Sequence, residues 1–177
     1  MVVLKVLKVD NLKNILDESI ISHCSKKYSG KNLTDSLFAY ETLSMLYKRE
    51  TGNNLLGIYF DDRGKPLSNE IAITITHSNG VVGVGFSLNT NDKIAIDIEK
   101  VKSVRKPLLK LLNLNENATK QEFYLKWTKK ECFKKALNLP LLKSKEIDFK
   151  GKSEIVKIDG EEYALSVYCE KDFKIEL

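Results

Sequence analysis

Ile71-Ala72-Ile73-Thr74-Ile75-Thr76-His77-Ser78-Asn79-Gly80-Val81-Val82-Gly83-Val84-Gly85-Phe86-Ser87-Leu88 is the stretch on which the fold turns. Ile71 to Thr76 and Val81 to Leu88 read as strands, and Asn79-Gly80 between them favours the positive φ angles of a tight hairpin. Gly83-Val84-Gly85 lacks the third glycine and the following helix of a dinucleotide fingerprint, so it reads as strand. Upstream, Leu55 to Phe60 predicts a strand and Asp61 to Pro66 a tight loop. Before them a helix is expected from an N-cap at Thr34 or Asp35 to Tyr47, stopping ahead of Thr51-Gly52-Asn53-Asn54. Lys26 to Lys31 reads as loop and Leu12 to Cys24 as a short helix. The opening run Met1 to Val6 predicts a strand that ends near Asp10-Asn11.

Downstream, the polar turn Asn89 to Asp92 leads into a strand over Lys93 to Glu99. Apolar residues at 104, 108, 111 and 112 have the spacing of one helix face. A longer helix is expected from about Thr119 to Leu137, closed by Asn138 and Pro140. Ile147 to Phe149, Glu154 to Ile158, Tyr163 to Tyr168 and Phe173 to Glu176 read as short strands joined at Gly151 and Asp159-Gly160. Each half carries helix followed by antiparallel strands. The expected fold is therefore α+β, a duplicated helix-plus-antiparallel-sheet unit without a residue-level repeat. Residues 1–90 would form an N-terminal lobe and 91–177 a C-terminal lobe of one compact unit.

The chain has 177 residues, 42% hydrophobic and 30% charged, which excludes a disordered or collagen-like polymer. No apolar run approaches the roughly 20 residues of a bilayer span. Three cysteines, Cys24, Cys132 and Cys169, lack C-x-x-C spacing and argue against a disulfide framework or a zinc site, pointing to the cytoplasm. Lysine and arginine total 29 against 24 acids, a formal +5 that favours an anionic partner. Arg49, Arg63 and Arg105 form no cluster of the kind that reads base edges, which opposes a nucleic-acid-binding protein.

Asp97 and Glu99 stand two apart on a strand and project from one face with Ala95, while Ile94, Ile96 and Ile98 point to the core. Two adjacent carboxylates suit a hard divalent cation, or simply an exposed acidic strand face. Trp127, Glu131 and Lys135 recur every four residues and stack on one helix face, with Phe133, Ala136 and Leu137 on the packing side. His77 ends a strand, a position more typical of structure than catalysis, and His23 has no motif around it.

The order of these pieces carries more than any one of them. Gly64-Lys65-Pro66, Ile75-Thr76-His77-Ser78, Ile96-Asp97-Ile98-Glu99 and Trp127-Thr128-x-Lys130-Glu131-x-x-x-Lys135 resemble, in sequence and spacing, the 4'-phosphopantetheinyl transferases, closest to the Sfp-type branch. The likeness covers about Gly64 to Leu137. It implies a Mg²⁺-dependent (or Mn²⁺-dependent) cytoplasmic monomer that transfers the phosphopantetheine arm of coenzyme A to a serine of an apo acyl or peptidyl carrier protein. By likeness Asp97, Glu99 and Glu131 would hold the metal and Glu131 would be the general base. Lys135 would neutralise pyrophosphate oxygens, Lys65 and Pro66 would line the adenine side, and Thr76 and His77, the latter as imidazolium, would approach the phosphates. Trp127 and Lys130 would support coenzyme A binding.

The chain departs from the family pattern in three places. Ala95 replaces the usual glycine, Leu33-Thr34-Asp35-Ser36-Leu37 lacks the arginine that normally faces the 3'-phosphate, and the segment from Glu99 to Trp127 is short. Lys26, Lys27 and Lys31 are the candidate substitutes for the arginine. In the short segment a basic rim around leucines would suit the acidic helix of a carrier, with Arg105, Lys106 and Leu109 as contacts. The alternative there is that the leucines are core and the lysines solvated. A second functional reading is a degenerate relative that binds carrier or coenzyme A without transfer.

Overall fold

The structure, a computed structural model, describes residues 2–12, 16–139 and 149–177. Its elements run β1 (Val2–Lys8), α1 (Glu18–Lys27), α2 (Gly30–Thr51), β2 (Tyr59–Phe60), β3 (Pro66–Leu67), β4 (Ala72–Ser78), β5 (Val81–Ser87) and β6 (Ile94–Lys100). There follow α3 (Lys106–Leu111), α4 (Lys120–Leu137), β7 (Gly151–Ile158), β8 (Glu161–Cys169) and β9 (Phe173–Glu176). The fold is α+β. A four-stranded sheet has the order β4-β5-β1-β9 and a three-stranded sheet the order β6-β8-β7.

The hairpin forms at the expected place, with Asn79 at φ 52° and Gly80 at φ 83°, both positive as a two-residue turn of this hand requires. Period-two patterning then sorts the side chains. Val2, Leu4 and Val6 of β1 join Ile94, Ile96 and Ile98 of β6 and Leu165 and Val167 of β8 in a core between the two sheets. On the other face of the first sheet, Val3, Val82, Val84 and Phe86 meet Phe38, Leu43, Leu46 and Tyr47 of α2. The outer face of the second sheet, with Ala95 and Tyr168, is covered by Cys132 and Ala136 of α4. The layers are thus helix, sheet, sheet, helix. Each fully buried large aliphatic side chain contributes roughly 1.5–3 kcal/mol through removal from water.

The sheets meet edge-on at β4 and β6 through side-chain hydroxyls. Thr74, Thr76 and Ser78, alternate residues on one face of β4, accept from the backbone N–H of Ile96 (3.0 Å), Ile98 (3.5 Å) and Lys100 (3.2 Å). These donors face away from β8, β6's ladder partner, and the hydroxyls take the place of a missing strand. Gly83, opposite Thr76 in β5, makes the approach feasible. A Cβ there would lie 2.9 Å from Thr76 Cγ2 and 3.0 Å from Ile96 Cδ1.

Several elements differ from the sequence reading. The helix expected from Thr34 or Asp35 starts at Gly30, so Lys26 to Lys31 is mostly helical, with only Tyr28 and Ser29 between α1 and α2. Asp35 is no cap. It is 1% exposed and accepts from the backbone N–H of Gly80 at 2.9 Å, a tertiary bond that outweighs its capping preference. The helix expected over Leu12 to Cys24 lies at Glu18–Lys27. The strand expected over Leu55 to Phe60 shrinks to Tyr59–Phe60, because Gly57 at φ 66° breaks the extended run. On α4, Thr128, Cys132 and Ala136 form the buried stripe, whereas Phe133 and Leu137 are only half-buried. The expected lobe boundary falls between β5 and β6, and β9 crosses it to pair in parallel with β1. Arg49 of α2 clamps that last strand with a bidentate pair to Glu176, both bonds 2.9 Å. Pro140 and the strand residues Ile147 and Asp148 lie outside the described residues.

Candidate functional site

A cleft of about 770 Å³ opens where the edge strand β4 meets β6 and α4. That volume lies within the range of small-molecule sites. One wall is acidic. Asp97 and Glu99 leave β6 on the face turned to α4, and Glu131 joins them from the middle of that helix. The sequence signal for α4 is good, since Thr119 and Glu122 form a complete capping box and Asn138 closes the helix at φ 54°.

Asp97 is not the exposed acid of the alternative sequence reading. It is 4% exposed, and its Oδ1 accepts from Lys135 Nζ and from Thr76 Oγ1 (3.3 Å). Its Oδ2 is buried with no hydrogen-bond partner among the described residues. Burial pushes the Asp97 carboxyl up from its ordinary range, against the pull of Lys135. For Lys135 burial works against the charge, but Asp97 more than offsets it and the ammonium is held above its usual value. Glu99 is also pushed up, first by burial, and accepts from Ser78 Oγ at 2.8 Å. Glu131 pairs with Lys134 one turn on, at 3.5 Å.

The other wall is basic. His23 and Lys27, one turn apart on α1, face the loop between β2 and β3, which contributes Arg63, Gly64 and Lys65. His23 stacks flat on Phe60, ring centroids 3.6 Å apart, and burial with Lys27 and Lys26 lowers its pKa. The loop is shaped by Asp61, whose Oδ1 accepts from the N–H groups of Arg63 (2.9 Å) and Lys65 (2.8 Å). It is latched across the cleft to the C-terminal end of α4. Arg63 donates to the carbonyl of Asn138 at 3.2 Å and Lys65 Nζ to that of Lys135 at 3.0 Å. Cations belong at that negative helix end. Burial lowers the Lys65 pKa, with Asp61 opposing.

His77 completes this wall, its ring edge-on to Tyr28 at 5.4 Å. Burial, the largest influence, lowers its pKa; Asp35 opposes, and Lys135 and Lys27 add to the lowering. In the free protein burial thus favours the neutral ring, whereas the imidazolium expected from the sequence belongs to the anion-bound state.

The cleft brings together Lys65, Pro66, Thr76, His77, Asp97, Glu99, Trp127, Glu131 and Lys135. Lys130 is on the same helix but not among the lining residues. Leu109, expected to meet a partner, is 5% exposed and packs with Leu112 and Phe123. Sequence reasoning overlooked His23, Arg63 and Lys134. The i, i+4 pair His23 and Lys27, and an arginine abutting Gly64-Lys65-Pro66, were the available signals.

Among the described residues no three of His, Cys, Asp and Glu gather into a metal-holding group. Asp97, Glu99 and Glu131 nonetheless supply an all-oxygen donor set that suits a hard divalent cation, and the unpartnered Asp97 Oδ2 is an acceptor such an ion would satisfy. No described helix is long and apolar enough to cross a membrane. No family model matches this chain, and no curated protein matches it in sequence.

Proposed function

We propose that the protein is a 4'-phosphopantetheinyl transferase, moving the arm of coenzyme A onto a serine of an apo acyl or peptidyl carrier protein and releasing 3',5'-ADP. The observation that carries this reading is that all four motif segments line one cleft, with Lys65, His77, Asp97, Glu99, Glu131 and Lys135 around it. The two sheets, each with a helix packed on it, support a pseudo-twofold duplication.

In this reaction the serine Oγ forms a bond to the phosphorus that carries the pantetheine arm. The bond from that phosphorus to the oxygen of 3',5'-ADP breaks, and the electron pair leaves with the ADP. Glu131 accepts the serine proton. Lys27, Arg63 and His77 hold the phosphates on the basic wall, and the flat His23–Phe60 pair offers a stacking face beside Lys65 and Pro66. Lys135, released from Asp97, neutralises charge on the leaving pyrophosphate oxygen. A divalent cation, Mg²⁺ or Mn²⁺, held by Asp97, Glu99 and Glu131 would supply further neutralisation of those oxygens.

For the carrier, exposed Leu108 and Leu111 replace Leu109 as the apolar contacts, rimmed by exposed Arg105, Lys106 and Lys110. An acidic amphipathic helix complements such a patch in both charge and polarity. Among the described residues the ion pairs of Lys106 and Lys110 are with Glu116, at 3.8 and 3.9 Å on the open surface, so they remain available to an acidic partner.

A second reading, binding without transfer, is favoured by one arrangement: Lys135 sits on Asp97, and the first turns of α2 bring no arginine to the cleft. Incubation with coenzyme A, Mg²⁺ and apo carriers, read by intact mass, separates the two. Addition of the phosphopantetheine arm that EDTA abolishes is the expected result. Coenzyme A binding without transfer to peptide, polyketide or fatty-acid carriers would establish the second reading instead.

A further inference from the structure

Ser78 lies outside the cleft, yet its hydroxyl is the most fully used of the β4–β6 junction. It accepts from the Lys100 N–H at 3.2 Å and from Asn79 Nδ2 at 3.1 Å, and it donates to Glu99 Oε2 at 2.8 Å. A hydroxyl has one proton and two lone pairs, so all its capacity is engaged. The direction of each bond is therefore forced: with both lone pairs facing N–H donors, the proton has only Glu99 to go to.

The other rungs provide the contrast. Thr74 accepts from Ile96 N–H at 3.0 Å and has no hydrogen bond to a carboxylate among the described residues. Thr76 has the same double geometry as Ser78, toward Ile98 N–H and Asp97, but both bonds are long, at 3.5 and 3.3 Å. Asp97 is held chiefly by Lys135. The described hydrogen bonds give Glu99 one side-chain donor, and that is Ser78.

We propose that Ser78 is a positioning residue for Glu99, holding that carboxylate in the orientation in which it faces the cleft. This rests on the reading of Glu99 as a ligand of a divalent cation. The backbone N–H of Lys100 and the side chain of Asn79 fix the serine, and the serine fixes the acid, so the hairpin turn sets the rotamer of a residue on another sheet. Partners of this kind, one shell out from a ligand, typically change metal affinity 10- to 100-fold when removed.

The test is Mn²⁺ titration of the full chain, by calorimetry or by the paramagnetic signal of free Mn²⁺, with and without coenzyme A. Ser78→Ala should weaken Mn²⁺ binding about tenfold, and Ser78→Thr, which keeps the donor, should restore most of it. Thr74→Val removes a rung with no carboxylate attached. It should lower the melting temperature about as much as Ser78→Ala while keeping the wild-type Mn²⁺ affinity. Should Ser78→Ala not fold, Ser78→Cys keeps the volume with a much weaker donor and carries the same expectation. Wild-type affinity in Ser78→Ala or Ser78→Cys, or equal loss in Thr74→Val, would overturn the positioning role and leave the metal reading standing. Absence of Mn²⁺ binding by the wild-type chain in the presence of coenzyme A would remove the metal reading, and the role of Ser78 with it.

Discussion

The two walls of the cleft are built on opposite principles. On the acidic wall, carboxylates on short stems leave a strand and a helix whose backbones are fixed by the second sheet, and each carboxylate has an assigned partner in Lys135, Ser78 or Lys134. On the basic wall, Lys27 and Arg63 reach in from a helix end and a turn. Short stems on fixed elements give the defined geometry that bond-making requires. Long stems with charged tips tolerate variation in what they hold, which would suit the flexible polyanion of the proposed function. On the proposed function, the cleft would divide into a part for chemistry and a part for binding.

That division can be broken most directly by kinetics. Asp97→Asn or Glu131→Gln should cost on the order of 100-fold or more in turnover with coenzyme A affinity little changed. Lys27→Ala should do the reverse, raising the coenzyme A Kd about tenfold, the value of one charge-assisted hydrogen bond, with near-normal turnover at saturation. Calorimetry and carrier mass measured on the same preparations give both numbers. Parallel losses of turnover and affinity in all three variants would erase the distinction.

A smaller effect sharpens how the walls are held together. Gly83→Ala forces a methyl against Thr76 and Ile96 at the sheet junction, and such overpacking destabilises by about 1–3 kcal/mol. Denaturant unfolding should show the loss, accompanied by weaker binding on both walls because β4 carries His77 on one face and Thr76 on the other. Unchanged stability would mean the sheets are free to separate.

The smallest effect concerns pH. His77 sits below its ordinary value because it is buried, with Asp35 raising it and Lys135 and Lys27 lowering it. A bound phosphate favours the imidazolium, so binding takes up a proton. Coenzyme A affinity should strengthen as pH falls through the pKa of the complex and level off below that of the free protein, with a slope of at most about tenfold per pH unit. For folding the sign is opposite: the unfolded chain binds the proton more readily, so stability falls as pH drops below 6.5. Titration of binding in buffers of different ionisation enthalpy should show proton uptake that His77→Gln removes.

The acidic wall was legible in sequence because its residues sit in regular elements. Alternation places Asp97 and Glu99 on one face of a strand, and i, i+4 spacing places Glu131 and Lys135 on one face of a helix, whatever the rest of the chain does. The basic wall was legible only in part, through Lys65, His77 and the candidate Lys27. His23 had no motif, Arg63 belonged to no cluster, and the end of α1 was read as loop. Those residues converge only because α1 docks beside the loop between β2 and β3, which depends on packing of Phe60, Tyr40 and their neighbours rather than on local pattern. Asp35 shows the same limit, since its local preference is to cap a helix and its tertiary partner Gly80 holds it inside one.

The sequence by itself determined β4, β5, β6, α4 and the hairpin, because hydrophobic period and turn chemistry act over a few residues: Asn79-Gly80 must turn, and Thr119 with Glu122 must begin a helix. Tertiary structure alone decided how the two sheets meet, why β5 carries glycine opposite Thr76, and which cations face which acids. Those depend on close approach between segments some 20 residues apart, where hydroxyls of β4 replace the backbone partners β6 would otherwise lack. No periodicity within either strand encodes that meeting.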